Sequence, residues 1–576
     1  MSKIVKVFVA TNKISMGMPI SNAKNIISII TSSENKDVDV CLFSAFALVG
    51  AQCGSYLLNR GFLQELDEAL EMIKEAVFKT NKAVVLGSYK QNECYIFTKD
   101  KFKVVNAGEN FVTFYHANAA YTVYTGEIDS LLTAPCFSDV AETLLIPAFI
   151  PSFAGRQEEI DNILCTASKL NSNAVFLANG SVGDTSFPYI NKPFCEACFN
   201  GEMINYKEDF FKEVSFIQQI DADFEKPKRQ SYKSSDKACE SDESVDIKIA
   251  RKPYFPQNLK SREKYLDEIF FLSANSLAIR MNNTGIKKLV IGVSGGLDST
   301  LALLICAKAL DILNLPRDNI TAITMQGFGT SDRTYNNAIC LMNKLGCTVK
   351  EIPIAQSVLV HFQDIGHDKN VHNLTYENAQ ARERTQILFD IANSINALVV
   401  GTGDLSESSL GFCTFGGDHL ASYNVNSCIN KTTIRYLTRY LAQTQFLDIS
   451  DLLMDVVGTP VSPELLPAIN SDDISQKTEL ILGEYELHDF FLYCFLEYNY
   501  SPNELLKKSQ QTFLGVYDND YIKSTLQIFL KRFIQSQFKR SCTVDSAIIT
   551  KNNLSTKSFF IPSDMSSDVL THFLNI

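Results

Sequence analysis

Residues 4–10, Ile-Val-Lys-Val-Phe-Val-Ala, alternate in the manner of a strand. Val38 to Leu48 reads as a second strand, followed by Gly50-Ala-Gln-Cys-Gly54. Leu63 to Thr80 carries apolar residues at helical spacing: Leu66, Ala69, Leu70, Ile73, Ala76 and Val77. Ala83-Val-Val-Leu-Gly87 and Cys94-Tyr-Ile-Phe97 read as further strands. Strands and helices alternate, so this half is α/β or layered α+β. From Leu259 to Arg280 the spacing is again helical, ending at Asn282-Asn-Thr-Gly285. Lys287 to Ile291 is a short apolar run of the kind that makes a buried strand, and Leu301 to Leu310 reads as the helix after it. Asn319 to Thr324, Thr348 to Ile354 and Ala397 to Gly401 read as strands, and Asp332 to Leu345 as a helix capped by Thr330 or Ser331.

Between the strand ending at Ile291 and the helix beginning at Leu301 lies Ser294-Gly-Gly-Leu-Asp-Ser-Thr300. Glycines let backbone approach an anion closely and take positive φ. A helix N-terminus offers free N–H groups and the positive end of a dipole to phosphate. Ser294, Ser299 and Thr300 add hydroxyl donors, and Asp298 can hold Mg²⁺ beside the phosphates. No Lys follows the glycines, so the Walker A pattern is excluded. The stretch resembles the pyrophosphatase loop of enzymes that adenylate a carbonyl oxygen and release pyrophosphate. A nucleotide loop after the first strand of an alternating series implies a doubly wound parallel sheet, with its site at the strand C-terminal ends.

Bulk properties narrow the class. The 576 residues allow two to four domains at about 150 residues each. A net charge of −12 argues against a nucleic-acid or anionic-membrane binder. The 15 cysteines are an odd number, scattered and mostly inside apolar runs, as expected of reduced thiols in a cytoplasmic protein. Cys195-Glu-Ala-Cys198 is a lone CxxC with no second pair nearby, a weak zinc signal. No apolar run reaches membrane-spanning length, and the N-terminus lacks a signal-peptide layout. Residues 221–256 are polar and charged, with acidic Glu240-Ser-Asp-Glu-Ser-Val-Asp246, and read as a linker.

The first 220 residues carry a resemblance of their own. Phe43-Ser-Ala-Phe-Ala-Leu-Val-Gly50, Phe153-Ala-Gly-Arg156, Leu164-Cys-Thr-Ala-Ser168 and Ala174-Val-Phe-Leu-Ala-Asn179 are similar to segments of nitrilase-like glutaminase domains. The resemblance implies an αββα fold and an amidase that uses a Glu base, a Lys and a Cys nucleophile. At those positions stand Ala45, Ala107 and Asp129. Two other placements stay open: Lys101 or Lys103 as the cation, and Cys136 as the nucleophile. Neither restores the carboxylate base. The resemblance implies a glutaminase-like fold without its catalytic triad.

The second half is more densely marked. Met325-Gln-Gly-Phe-Gly-Thr-Ser-Asp-Arg333, Thr375-Tyr-Glu-Asn-Ala-Gln-Ala-Arg-Glu-Arg-Thr-Gln386, Gly401-Thr-Gly-Asp-Leu-Ser-Glu407 and Thr459-Pro-Val-Ser-Pro-Glu-Leu-Leu-Pro467 closely resemble the glutamine-dependent NAD synthetases in their long, two-domain form. Tyr485-Glu-Leu-His-Asp-Phe-Phe491 and Phe538-Lys-Arg-Ser-Cys542 agree. The resemblance implies a nitrilase-like domain over 1–220, a linker over 221–256 and, over 257–576, an adenine-nucleotide α-hydrolase-like synthetase domain. It places ATP at Ser294, Gly295, Gly296, Asp298, Ser299, Thr300, Met325, Arg382, Thr402 and Lys431. It places deamido-NAD at Tyr376, Asn378, Asp418 and Lys539, and Mg²⁺ at Asp298 and Glu407. Asn378 and Arg382 are four apart and so share a helix face. Two departures stand out: Gln326 replaces a usual Pro, and Ser555-Thr-Lys-Ser-Phe-Phe-Ile-Pro-Ser-Asp564 lacks two arginines, with Lys557 a stand-in for one.

The implied reaction is ATP-dependent amidation of deamido-NAD to NAD, with AMP and pyrophosphate released. With no triad, free ammonia is the expected nitrogen donor, and the first half becomes structural, holding a homo-oligomer together. Two rivals stay open: glutamine as donor through Cys136 or a partner glutaminase, and a non-catalytic binding or scaffold role.

Overall fold

The structure, a computed structural model, describes residues 4–35, 37–134, 141, 143–171, 174–221, 248–459, 465–466, 482–566 and 568–571. The chain divides into two compact units, Met1–Glu243 and Ser244–Ile576. Most of the expected 221–256 linker lies outside the described residues, while Asp221 closes the last strand of the first unit.

Among its described residues the first unit has twelve strands: β1 (Ile4–Ala10), β2 (Val40–Phe43), β3 (Ala83–Gly87), β4 (Cys94–Phe97), β5 (Phe102–Val105), β6 (Phe111–His116), β7 (Ala119–Tyr124), β8 (Thr143–Ala148), β9 (Ala174–Asn179), β10 (Phe194–Phe199), β11 (Glu202–Glu208) and β12 (Ser215–Asp221). They form two six-stranded sheets, β12-β1-β2-β3-β4-β5 and β11-β10-β9-β8-β7-β6. Strand periodicity explains the layering. On β1, Val5, Val7 and Val9 join a core shared with Phe176 and Ala178 of the other sheet. Phe8 and Ala10 face the other way, onto α1 (Pro19–Thr31) and α2 (Arg60–Phe78). On β9, Val175 and Leu177 meet Ile160, Leu164 and Ala167 of α3 (Arg156–Asn171). The result is the expected four-layer αββα sandwich.

Two sequence expectations change here. The run from Val38 to Leu48 is a strand only over Val40–Phe43. Beyond it the chain turns, with Phe46 at φ 58°, and Ala45 N donates to Ala148 O at 3.1 Å. Ala47, Leu48 and Val49 are as buried as strand residues, so the turn carried a strand's apolar signature. The CxxC pair is also separated. Cys195 faces the core between the sheets, and Cys198 faces α3, where its Sγ lies 3.4 Å from Cys165 Sγ. A three-residue step on a strand puts side chains on opposite faces, which rules out a shared zinc.

The second unit is built on a parallel sheet of β13 (Lys288–Gly292), β14 (Ile320–Thr324), β15 (Thr348–Glu351), β16 (Ala397–Gly401) and β17 (Tyr423–Asn424). The order is β15-β14-β13-β16-β17. Its helices include α4 (Leu259–Thr284), α5 (Leu297–Ile312), α6 (Asp332–Lys344), α7 (Ala355–Asp364), α8 (Leu374–Ile395), α9 (Leu405–Leu410) and α10 (Lys431–Thr444). On one face Val290, Ile323 and Val399 pack against Val358 and Phe362 of α7 and Tyr376 and Ala392 of α8. On the other, α5 is apolar nearly all round because it is sandwiched between the sheet and the pair α4 and α10. The doubly wound expectation holds. The strand order runs outward from β13 through β14 to β15, then restarts at β16 on β13's other side. Such a reversal leaves a crevice beyond the C-terminal ends of β13 and β16.

Phe176 is fully buried between the sheets of the first unit. Phe176→Ala should lower that unit's stability by about 3–5 kcal/mol, read as a shifted denaturant midpoint.

Candidate active site

The crevice is lined first by the turn after β13. Gly295 has φ +83°, and a Cβ there would lie 1.9 Å from the Thr334 carbonyl oxygen, so the position admits only glycine. The helix begins at Leu297 and not at Leu301, which places Asp298, Ser299 and Thr300 in its first turn. The difference arises because Gly296 serves as the N-cap with extended backbone, and no side chain caps the helix. Its first N–H groups are therefore left for an anion. Ser299 Oγ lies 3.2 Å from Ser294 Oγ and donates to Gly296 O at 3.2 Å, while Ser294 Oγ accepts from Gly296 N at 3.2 Å. Thr300 Oγ1 is buried with no hydrogen-bond partner.

The second wall follows β16. Asp404 caps α9 in a capping box: its Oδ1 accepts from Glu407 N at 2.7 Å, and Glu407 Oε2 accepts from Asp404 N at 3.3 Å. Each carboxylate keeps its other oxygen for the crevice. Between the walls stands Lys431, 1% exposed. Its Nζ is 2.7 Å from Asp298 Oδ2, 2.9 Å from Asp404 Oδ2 and 2.9 Å from Glu407 Oε1. The Tyr485 ring lies 5.4 Å from Nζ. Lys431 is the first residue of α10, where the helix dipole opposes a cation, so the carboxylates hold it there.

Charge in this cluster is unbalanced. Burial pushes Glu407 up to about 7, with Lys431 pulling against it, and raises Asp404 well above the carboxylate range. Burial would lower the Lys431 ammonium, but Asp298, Asp404 and Glu407 outweigh it and hold it well above its ordinary value. Three carboxyl groups face a single ammonium, so the cluster holds more acid groups than its one cation balances. Oxygens of Asp298, Asp404 and Glu407 lie within 4.8 Å of one another, and Asp298 Oδ1 is buried without a hydrogen-bond partner. An all-oxygen, acid-rich set of this size fits a hard divalent cation. Among the described residues this is the only such group.

Asp404 was absent from the expected ligands. Its signal lay in Asp404-Leu-Ser-Glu407, whose three-residue step reads as a capping box and so masks the free oxygen. Thr402 closes β16's end, its carbonyl accepting from Asn426 Nδ2 at 3.1 Å. Met325 follows β14, 8% exposed, with its carbonyl held by Arg384 Nε at 3.2 Å. Four expected residues converge on the loop of residues 411–419. Asn378 Oδ1 accepts from Thr414 Oγ1 at 2.8 Å, and Arg382 Nε and an Nη donate to Phe415 O at 3.3 and 3.1 Å. Asp418 Oδ1 accepts from Thr414 N at 2.7 Å, and burial raises its pKa. Lys539 Nζ donates to Gly411 O at 2.7 Å and Cys413 O at 2.6 Å. Tyr376 is not brought to them: it is 3% exposed and packs among Phe328, Phe362 and His372.

Among the described residues the first unit shows no comparable assembly at its expected positions. Ala45 lies against Gly87, where a Cβ would come 2.2 Å from Ala45 Cα. Ala107 sits in an exposed turn between β5 and β6. Asp129 is exposed and bound to Arg156 by ion-paired hydrogen bonds of 2.7 and 2.8 Å. Lys103 is exposed and 4.0 Å from Glu109, and Cys136 lies outside the described residues.

Residues 272–540 match the family model described as NAD synthase. The glutamine-dependent NAD(+) synthetase of Mycobacterium leprae is 35% identical over 347 residues, 56% of this chain and 51% of its own length. That of Acinetobacter baylyi is 23% identical over 539 residues, 88% of this chain and 90% of its own length. The chain thus spans about half the length of the mycobacterial relatives it matches. A crystal structure of a glutamine-dependent NAD(+) synthetase from Cytophaga hutchinsonii is similar in fold over 100% of this chain and 99% of its own, with TM-score 0.74 at 14% identity. No described helix is long and apolar enough to cross a membrane.

Lys431→Met should leave buried Asp404 and half-buried Asp298 and Glu407 without their cation, costing about 3–5 kcal/mol of stability in metal-free buffer. Magnesium should recover more of the melting temperature in this variant than in the unaltered protein, since a divalent ion then supplies the missing charge.

Proposed function

We propose that this chain is an ATP-dependent amide-forming ligase that converts deamido-NAD to NAD. The carboxylate trio around Lys431 at the strand switch point, beside the uncapped N-terminus of α5, carries the reading. The match of residues 272–540 to NAD synthase supports it. On this reading residues 1–220 are a nitrilase-like domain that holds a homo-oligomer, 221–256 a linker, and 257–576 the synthetase domain, all in the cytoplasm.

Asp298, Asp404 and Glu407 would hold Mg²⁺, which when bound screens the negative charge of ATP. The chain's own groups do the rest. Free N–H groups of α5, with the backbone at Gly295 and Gly296 and the hydroxyls of Ser294, Ser299 and Thr300, receive the pyrophosphate that departs. Lys431 supplies fixed positive charge where the α-phosphate is attacked. Met325, Arg382 and Thr402 border ATP. Asn378, Asp418 and Lys539 hold deamido-NAD along the 411–419 loop, while Tyr376 packs in the core beneath α8. The nicotinate oxygen attacks the α-phosphorus and pyrophosphate leaves. Ammonia then attacks the acyl carbon, AMP departs with the bond electrons, and one proton is lost to solvent. Preorganised charge in a water-poor crevice is the main source of rate.

Ammonia is the proposed donor. The relatives are named glutamine-dependent synthetases, yet this chain has Ala45, Ala107 and Asp129 at the positions that resemble an amidase triad. A nitrilase-type amidase needs nucleophile, base and oxyanion partner within hydrogen-bond reach.

Purified protein with deamido-NAD, ATP and Mg²⁺ should form NAD with ammonium. Glutamine alone should give no NAD above background, because losing triad members costs on the order of 10⁴-fold or more. Glutamate release that disappears in Cys136→Ala would show instead a working glutaminase half. Asp298→Ala should abolish adenylation, followed by pyrophosphate release, while leaving circular dichroism unchanged. Arg382→Ala should reduce kcat/KM by about ten- to a hundredfold, the size of a charge-assisted hydrogen bond, with little change in Tm.

A further inference from the structure

The two walls of the crevice are joined by one amide. Asn426 follows β17 and is fully buried. Its Nδ2 donates to Asp298 O at 3.0 Å and to Thr402 O at 3.1 Å. An amide NH₂ has two donors, so both are used, one on each wall. Its backbone N–H donates to Asn424 Oδ1 at 3.0 Å, and Asn424 Nδ2 donates to Gly403 O at 2.9 Å. The pair thus grips the first turn of α5, which carries Asp298, and the strand end that leads into Asp404 and Glu407. Asn426 Oδ1 is buried without a hydrogen-bond partner, a cost accepted at this spot.

We propose that Asn426 is a positioning residue for the divalent-cation site, setting the separation of Asp298 from Asp404 and Glu407. This rests on the reading that those carboxylates hold Mg²⁺. The physical need is specific. The three carboxylates stand on two separate walls, Asp298 on α5 and Asp404 and Glu407 at the start of α9. Lys431 draws their oxygens together from the crevice side, and a tie between the two backbones fixes the spacing at which those oxygens lie within 4.8 Å. Asn426 supplies that tie through carbonyls and leaves the ligand oxygens free. A near-isosteric Asp would present acceptors to both carbonyls and push the walls apart. A Leu would leave the carbonyls bare.

The test is binding of Mn²⁺ alone to the full chain, followed by the paramagnetic signal of the free ion. The unaltered protein, Asn426→Ala, Asn426→Asp and Asp298→Ala are compared. Both Asn426 variants should bind Mn²⁺ about 10- to 100-fold more weakly, the usual effect of removing a group that orients metal ligands. NAD formation by them should need correspondingly more Mg²⁺, with kcat recovering at saturation. If Asn426→Ala melts lower yet binds Mn²⁺ at the unaltered affinity, Asn426 is only structural and the proposal is overturned. Should Asn426→Ala not fold, Asn426→Ser keeps a short polar side chain without the reach, and the same two outcomes decide. Asp298→Ala separates the premise: if it binds Mn²⁺ as tightly as the unaltered protein, the cation site itself is wrong.

Discussion

A buried ammonium held by three carboxylates is the constraint on which the second unit depends. Ion clusters out of water are expensive, and only tight geometry and further hydrogen bonds offset the cost. The fold provides both. Asp404 and Glu407 are locked by their reciprocal cap. Lys431 N donates to Ser406 Oγ at 2.8 Å, and Asp489 accepts from Ser406 Oγ at 2.5 Å and from Thr432 N at 3.0 Å. Asp489 is itself pushed up to about 6, mainly by burial. The start of α10 is thus pinned by a residue from the distant helix Tyr485–Glu497.

The first unit answers a different demand. Its sheets are apolar on both faces because each is covered by its partner sheet and by helices. At the ends of those strands polar side chains are spent on one another and on backbone. Ser44 Oγ lies 3.2 Å from Ser181 Oγ, Ser181 Oγ donates to Asn12 Oδ1 at 3.3 Å, and Asn12 Nδ2 donates to Ala47 O at 2.9 Å. Such a network stiffens the strand ends.

Much of this was legible in the residues. Strand and helix periodicities located β1, β3, β4, β13, β14 and β16 closely, since their apolar runs match what the sheets bury. The buried turn after Phe43 was hidden because burial, not strand geometry, makes a run apolar. The strand at Thr348 is shorter than the expected Thr348 to Ile354, ending at Glu351, although Ile352 N still donates to Thr324 O at 3.0 Å. Asp298, Glu407 and Lys431 were foreseeable from motif chemistry, and the sheet reversal brings them together. Asp404 and Asn426 were not, because one looks like a helix cap and the other makes its contacts with carbonyl oxygens that no side-chain pattern records. The central place of Lys431 required three-dimensional contacts.

Sequence distance has a kinetic meaning at this cluster. Lys431 and Glu407 are 24 residues apart, whereas Lys431 and Asp298 are 133 apart. Closing the longer loop costs more chain entropy, although the penalty grows only logarithmically. The short closure pairs a carboxylate with the ammonium early and cheaply. Asp298 belongs to the longer closure, the one made where β13 pairs with β16. Topology that depends on such distant pairings folds slowly, and β13 with β16, at the crevice, is the neighbouring pair of this sheet most distant in sequence.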